Sequence, residues 1–102
     1  MDTPFSEVAK QAVTNPNAVI LDVRRDDEWA AGHADRATHW ELARLQAGEL
    51  PDISKDAQVY TYCAAGKRAG EAADILRSHG WTNVQNAGGF SDWVAAGGAT
   101  VK

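Results

Sequence analysis

The sequence predicts an α/β fold, with a small, mostly parallel central sheet flanked by helices on both faces. Segments with apolar residues at helical spacing alternate, at short intervals, with runs of β-forming residues. The run Ala18-Val19-Ile20-Leu21-Asp22-Val23 is apolar almost throughout, the pattern of a strand covered on both faces rather than one. Length agrees: 102 residues, 44% of them hydrophobic, supply one modest core, so the expectation is one domain over 1–102.

Phe5, Val8, Ala9, Ala12 and Val13 follow i, i+3, i+4, i+7 spacing and define a first helix. Ser6 is the expected N-cap, with Thr3 ahead of Pro4 as the competing start. Asn15-Pro16-Asn17 stops that helix, because a residue before proline avoids helical backbone. The strand Ala18 to Val23 follows. Asp26 to Ala31 carries acids in its first turn, where the helix dipole favours them, and Gly32 beyond its end. Ala37 to Trp40 reads as a brief strand and Leu42 to Ala47 as a short helix closed by Gly48. Gln58-Val59-Tyr60-Thr61-Tyr62 is rich in β-formers and is the expected central strand. Arg68 to His79 is the strongest helix, with Ala69, Ala72, Ala73, Ile75 and Leu76 on its apolar face and Gly80 as its stop. Val84 to Asn86 makes a last strand, and Ser91 caps a terminal helix containing Trp93. Trp29, Trp40, Trp81 and Trp93 are expected to pack the core or its edge. No repeat, low-complexity segment or linker interrupts this order.

Ten basic residues against fourteen acidic ones give a net charge of −4, and the pI is near 5.2. With no basic run, such a surface repels nucleic acid. No apolar stretch is long enough to cross a bilayer. The N-terminal Met1-Asp2-Thr3-Pro4 lacks the basic and apolar regions of a signal peptide, so a cytoplasmic protein is expected, although a trimmed export signal would leave no trace. A single cysteine, Cys63, rules out an intrachain disulfide and a two-thiol relay. His33, His39, His79 and Cys63 show no paired-ligand spacing, so no metal and no cofactor are expected.

A lone cysteine is ordinarily an inert core residue. The surroundings of Cys63 argue otherwise. It follows a predicted strand and opens the segment Cys63-Ala64-Ala65-Gly66-Lys67-Arg68, which runs into a helix. Ligands of parallel α/β sheets bind at the carboxyl ends of strands, where a turn into a helix aims backbone N–H groups at the site. Ala64, Ala65 and Gly66 have too little side chain to obstruct those donors. Lys67 and Arg68 add positive charge. Each of these favours thiolate over thiol and makes Cys63 the candidate nucleophile.

Three blocks then resemble the rhodanese family over nearly the whole chain: Leu21-Asp22-Val23-Arg24 with Glu28-Trp29 and Gly32-His33; Tyr62-Cys63-Ala64-Ala65-Gly66-Lys67-Arg68; and Asn86-Ala87-Gly88-Gly89 with Trp93. The family's Gly-His-aliphatic-x-Gly-Ala segment departs here to Gly32-His33-Ala34-Asp35-Arg36-Ala37, which bears on the third strand and its turn. The resemblance implies a rhodanese-like fold and a sulfurtransferase. Cys63 would take the outer sulfur of a thiosulfate-like donor as a persulfide, hold it against the loop N–H groups of Ala64, Ala65 and Gly66, and pass it to cyanide or a thiol. A protein thiol is among the acceptors considered, and a monomer is expected. Lys67 is assigned to the anionic donor. Arg68 is assigned to loop architecture, through a carboxylate such as Glu28 or Asp22. Asp22 and Arg24 read as a buried structural pair, and His33 as a structural group rather than a base.

Two rivals remain at this level. Thiol phosphatases share a cysteine-to-arginine loop, but theirs holds one residue more than Ala64 to Lys67, and a shorter loop fits a sulfur atom better than a phosphate. The other is a non-catalytic rhodanese-like binding module or a persulfide carrier for a protein partner; modules of the first kind typically lack the cysteine.

Overall fold

The computed structural model describes residues 4–102. In chain order the elements are α1 (Phe5–Thr14), β1 (Val19–Asp22), α2 (Asp26–Ala31), β2 (His33–Ala34), β3 (Ala37–His39), α3 (Leu42–Gln46), β4 (Val59–Cys63), α4 (Lys67–Ser78), β5 (Val84–Gly89), α5 (Phe90–Ala95) and β6 (Thr100–Val101). Four strands form one sheet in the order β3-β1-β4-β5, and every neighbouring pair is parallel. β2 and β6 form a separate antiparallel ribbon, with His33 opposite Val101.

Side-chain alternation along the strands builds a core on each face of the sheet. Leu21, Val59 and Cys63 pack with Leu42 and Leu45 of α3 and with Ala69, Ala72, Ala73 and Leu76 of α4. Ile20, Tyr60 and Tyr62 pack on the other face with Val8 and Ala12 of α1 and Trp93 of α5. Trp81 and Trp93 are buried, whereas Trp29 and Trp40 are half-buried at the edge.

Several boundaries differ from expectation for identifiable reasons. Pro4, not Ser6, occupies the N-cap position of α1, and Ser6 lies exposed inside the helix. Proline's fixed φ already suits a helix entry. Thr3, the competing start, lies outside the described residues. Gly89, not Ser91, caps α5: its N–H donates to Asp92 Oδ2 at 2.8 Å, so the helix begins at Phe90. β5 runs on from Asn86 through Ala87 and Gly88 to Gly89, because pairing with β4 overrides the poor strand propensity of glycine. β1 is confined to Val19–Asp22, α4 starts one residue before Arg68, and β3 stops at His39.

The departure at Arg36 has a structural use. Its guanidinium donates to the carbonyls of Ala12 at 2.9 Å, Val13 at 3.4 Å, Asn15 at 2.7 Å and Ala18 at 3.2 Å. The last carbonyls of a helix have no partner within it. Arg36 supplies that partner for α1 from the turn before β3.

Candidate active site

Parallel β4 carries Val59, Thr61 and Cys63 toward α4 and Tyr60 and Tyr62 away from it. Thr61 Oγ1 donates to the Ala69 carbonyl at 2.8 Å, which fixes the helix against the strand. Cys63 is the last residue of β4 rather than the first after it, and its side chain is buried at the start of α4. Two backbone N–H groups reach its sulfur, Gly66 at 2.9 Å and Ala69 at 3.4 Å. Ala64 and Ala65 form the exposed tip of the loop and make no described hydrogen bond to Sγ. Ala69, absent from the expected donors, serves instead because the first turn of α4 folds back over the sulfur.

Gly66 sits at the N-cap position of α4 with φ +100° and ψ −21°, where the loop turns into the helix. That region penalises any Cβ, and one built here would come 3.0 Å from Phe5 Cε2. Across the sheet, Gly89 is paired with Cys63, and a Cβ on it would collide with the Ala64 carbonyl. Glycine alone lets β5 lie that close to the loop. Asn86 makes the second tie: its Nδ2 donates to the Gly66 carbonyl at 2.8 Å, and its Oδ1 accepts the Gly88 N–H at 2.7 Å.

The basic residues separate. Lys67 is the exposed first residue of α4 and makes no ion pair among the described residues. Arg68 grips Glu28 of α2 in a two-toothed pair, Nη1 to Oε1 at 2.6 Å and Nη2 to Oε2 at 2.9 Å. Glu28 also accepts the Arg25 N–H at 3.2 Å. The Arg68 hydrogen bonds hold the Glu28 carboxyl down to about 2 against a partial burial cost. Of the two carboxylates named for Arg68, Asp22 is engaged elsewhere.

Asp22 is fully buried and accepts from Arg24 Nε at 3.0 Å and Nη2 at 2.7 Å. Tyr62 O–H also donates to Asp22 Oδ2 at 2.6 Å and accepts the Ala34 N–H at 3.0 Å, while Arg24 Nη2 reaches the Gly32 carbonyl at 2.7 Å. Every charge in this network is hydrogen-bonded, the condition under which burying an ion pair is tolerated. Burial pushes the Tyr62 phenol above its ordinary range. The network lies on the side of β4 away from the sulfur and ties β1, β2 and β4 together. In the sequence Tyr62 and Asn86 each stood at the end of a predicted strand and at the head of a motif block, with no signal of the hydrogen bonds they make.

His33 stacks flat on Trp29 (3.4 Å between ring centroids, 5° between planes) and donates from Nδ1 to the Trp29 carbonyl at 2.9 Å. It does not meet the cysteine loop's hydrogen-bond set. Among the described residues, Asp26, His39 and Glu41 bring potential ligand atoms within 4.8 Å of one another, on elements other than the cysteine loop. No helix of the described residues is long and apolar enough to cross a membrane.

The rhodanese-like domain family model matches residues 6–96. The chain is 33% identical over 99 residues to a thiosulfate:glutathione sulfurtransferase of Saccharomyces cerevisiae, a match covering 82% of this chain and 70% of that protein. It is 36% identical over 75 residues to the thiosulfate sulfurtransferase PspE of Escherichia coli, covering 71% and 70%. Among solved structures, a rhodanese with anions from E. coli superposes with a TM-score of 0.70 at 33% identity, over 83% of this chain and 98% of that one. These relatives support sulfurtransferase activity in general. With a parallel sheet that delivers one cysteine to the turn before a helix, and a family match spanning 6–96, the chain belongs to the rhodanese-like domain family.

Proposed function

We propose that the chain moves a sulfane sulfur from thiosulfate, or from a persulfide donor, to cyanide or a thiol through a persulfide on Cys63. The observation that carries this is the pair of N–H groups on Sγ, from Gly66 and Ala69, at the end of a parallel strand. Such donors stabilise an anionic sulfur, and both the thiolate and the persulfide are anionic.

The Cys63 thiolate attacks the outer sulfur of thiosulfate; the S–S bond of the donor breaks, and sulfite leaves with its electron pair. Cyanide then attacks the terminal sulfur of the persulfide. The bond to Sγ breaks, thiocyanate departs, and the thiolate returns. A thiolate acceptor takes the sulfur in the same way and becomes a persulfide. Lys67, exposed beside the loop, meets the anionic donor; Arg68, occupied by Glu28, shapes the loop. The similar E. coli rhodanese was solved with anions, in keeping with a donor of this charge.

With one cysteine in the sequence, no second thiol of this chain can discharge the persulfide. The donor's first product must leave before the acceptor reacts, which gives parallel double-reciprocal lines when donor and acceptor are varied. Cys63→Ser is expected to fold and to lose all thiocyanate formation. Activity retained in that variant, or intersecting lines, would overturn the mechanism. Parallel lines with far faster discharge to a protein thiol would favour a carrier over cyanide turnover.

A further inference from the structure

We infer that Asn86 is a positioning residue for sulfur transfer, holding Gly66 so that its N–H stays on the Cys63 sulfur. This rests on the sulfurtransferase reading of Cys63. Gly66 is the pivot of the loop: on one side of its Cα the N–H reaches Sγ at 2.9 Å, and on the other its carbonyl accepts from Asn86 Nδ2 at 2.8 Å and from the Gly70 N–H at 3.0 Å. Glycine has no intrinsic preference for φ +100° over the other regions open to it, so neighbours must select this one. The Gly70 bond belongs to α4 and moves with that helix. Asn86 belongs to β5, the strand paired with β4, and so it ties the orientation of Gly66 to the sheet that carries Cys63.

The residue type matters. Asn86 gives a donor to Gly66 and an acceptor to Gly88 at the same time, and the Gly88 N–H at 2.7 Å orients the amide. Aspartate keeps only the acceptor, and leucine, of similar size, keeps neither. Phe5 of α1 closes the remaining side of Gly66 with its ring. Without Asn86 the Gly66 carbonyl is held from α4 alone, the backbone dihedrals at Gly66 are no longer tied to the sheet, and its N–H is free to leave the sulfur.

Asn86→Leu tests this beside Arg36→Ala, which releases the C-terminal end of α1, the end opposite Phe5, and removes no contact with the loop. Three readings are taken: melting temperature, alkylation of Cys63 by iodoacetamide across pH, and kcat and KM for thiosulfate. For Asn86→Leu the alkylation profile is expected to move to higher pH. Its kcat should fall roughly tenfold, the scale of one lost hydrogen bond to a charged group, with KM within about twofold. Arg68 and Glu28, the charged pair beside the loop, are unchanged by the substitution. Arg36→Ala is expected to lower the melting temperature and leave the alkylation profile and kcat at wild-type values. A wild-type alkylation profile and kcat in Asn86→Leu would overturn the inference whatever its stability, and should that variant not fold, Asn86→Ser is read by the same criteria. If the wild-type protein takes no sulfur from thiosulfate, the sulfurtransferase reading falls, while the alkylation profile still decides whether Asn86 governs the loop.

Discussion

Lys67 and Arg68 are adjacent cations with opposite surroundings, and substitution separates them. Lys67→Ala should raise the thiosulfate KM several-fold and leave the melting temperature nearly unchanged, because an exposed unpaired charge contributes little to folding. Arg68→Ala should lower both activity and stability, since it strands Glu28 beside the loop. Thermal melts and donor titrations of the two variants check the order, and the reverse order would contradict the assignment. The same pair predicts an acid response. Glu28 is held at about 2, below its ordinary 4.5, so its contribution to stability is complete above about pH 5 and is lost as pH falls toward 2. The side chains are 29% and 19% exposed, which limits that contribution to about 1 kcal/mol. Glu28→Gln should therefore melt below wild type at pH 7, with the gap narrowing steadily as pH falls from about 5 toward 2; a gap that stays constant would show that the ionised carboxylate is not its source.

At the level of elements, helices and strands with their own periodicity or end signals were legible in the sequence, the short α2, β3 and α3 among them, and the two-residue strands were not. α1 and α4 repeat an apolar face over three turns, and the apolar runs of β1 and β4 fit strands covered on both sides. β2 and β6 have two residues each, too few for any periodicity, and they exist because His33 and Ala34 meet Val101 and Thr100 across most of the chain. The end of β5 was hidden for a similar reason: Gly88 and Gly89 look like a turn until Cys63 pairs with Gly89. The cysteine loop was legible from its small residues and its place between strand and helix. The Ala69 and Asn86 contacts were not, because each depends on how a neighbouring element packs on the loop. Arg36 is instructive here, since a local departure from a motif became a cap on a distant helix end. Arg36→Ala should cost about 1–2 kcal/mol of stability, several degrees in melting temperature for a chain this size. Calorimetry checks this, and an unchanged melt would mean that the four carbonyls are as well satisfied by water.

Across the whole molecule, the sheet separates two tasks. Its α1 and α5 face holds the Asp22, Arg24 and Tyr62 network, while its α3 and α4 face holds Cys63 and the N–H groups on its sulfur. Strand alternation assigns Tyr62 to the first task and Cys63 to the second, one residue apart. Every element of the proposed cycle depends on Cys63 carrying the sulfur covalently. An intact mass spectrum tests that directly, taken after the protein has been exposed to thiosulfate and freed of it. The expected result is the mass of one added sulfur atom on the wild-type chain, its loss after addition of cyanide, and no addition to Cys63→Ser. An unmodified wild-type chain that still forms thiocyanate, or an adduct that persists in Cys63→Ser, would contradict a Cys63 persulfide.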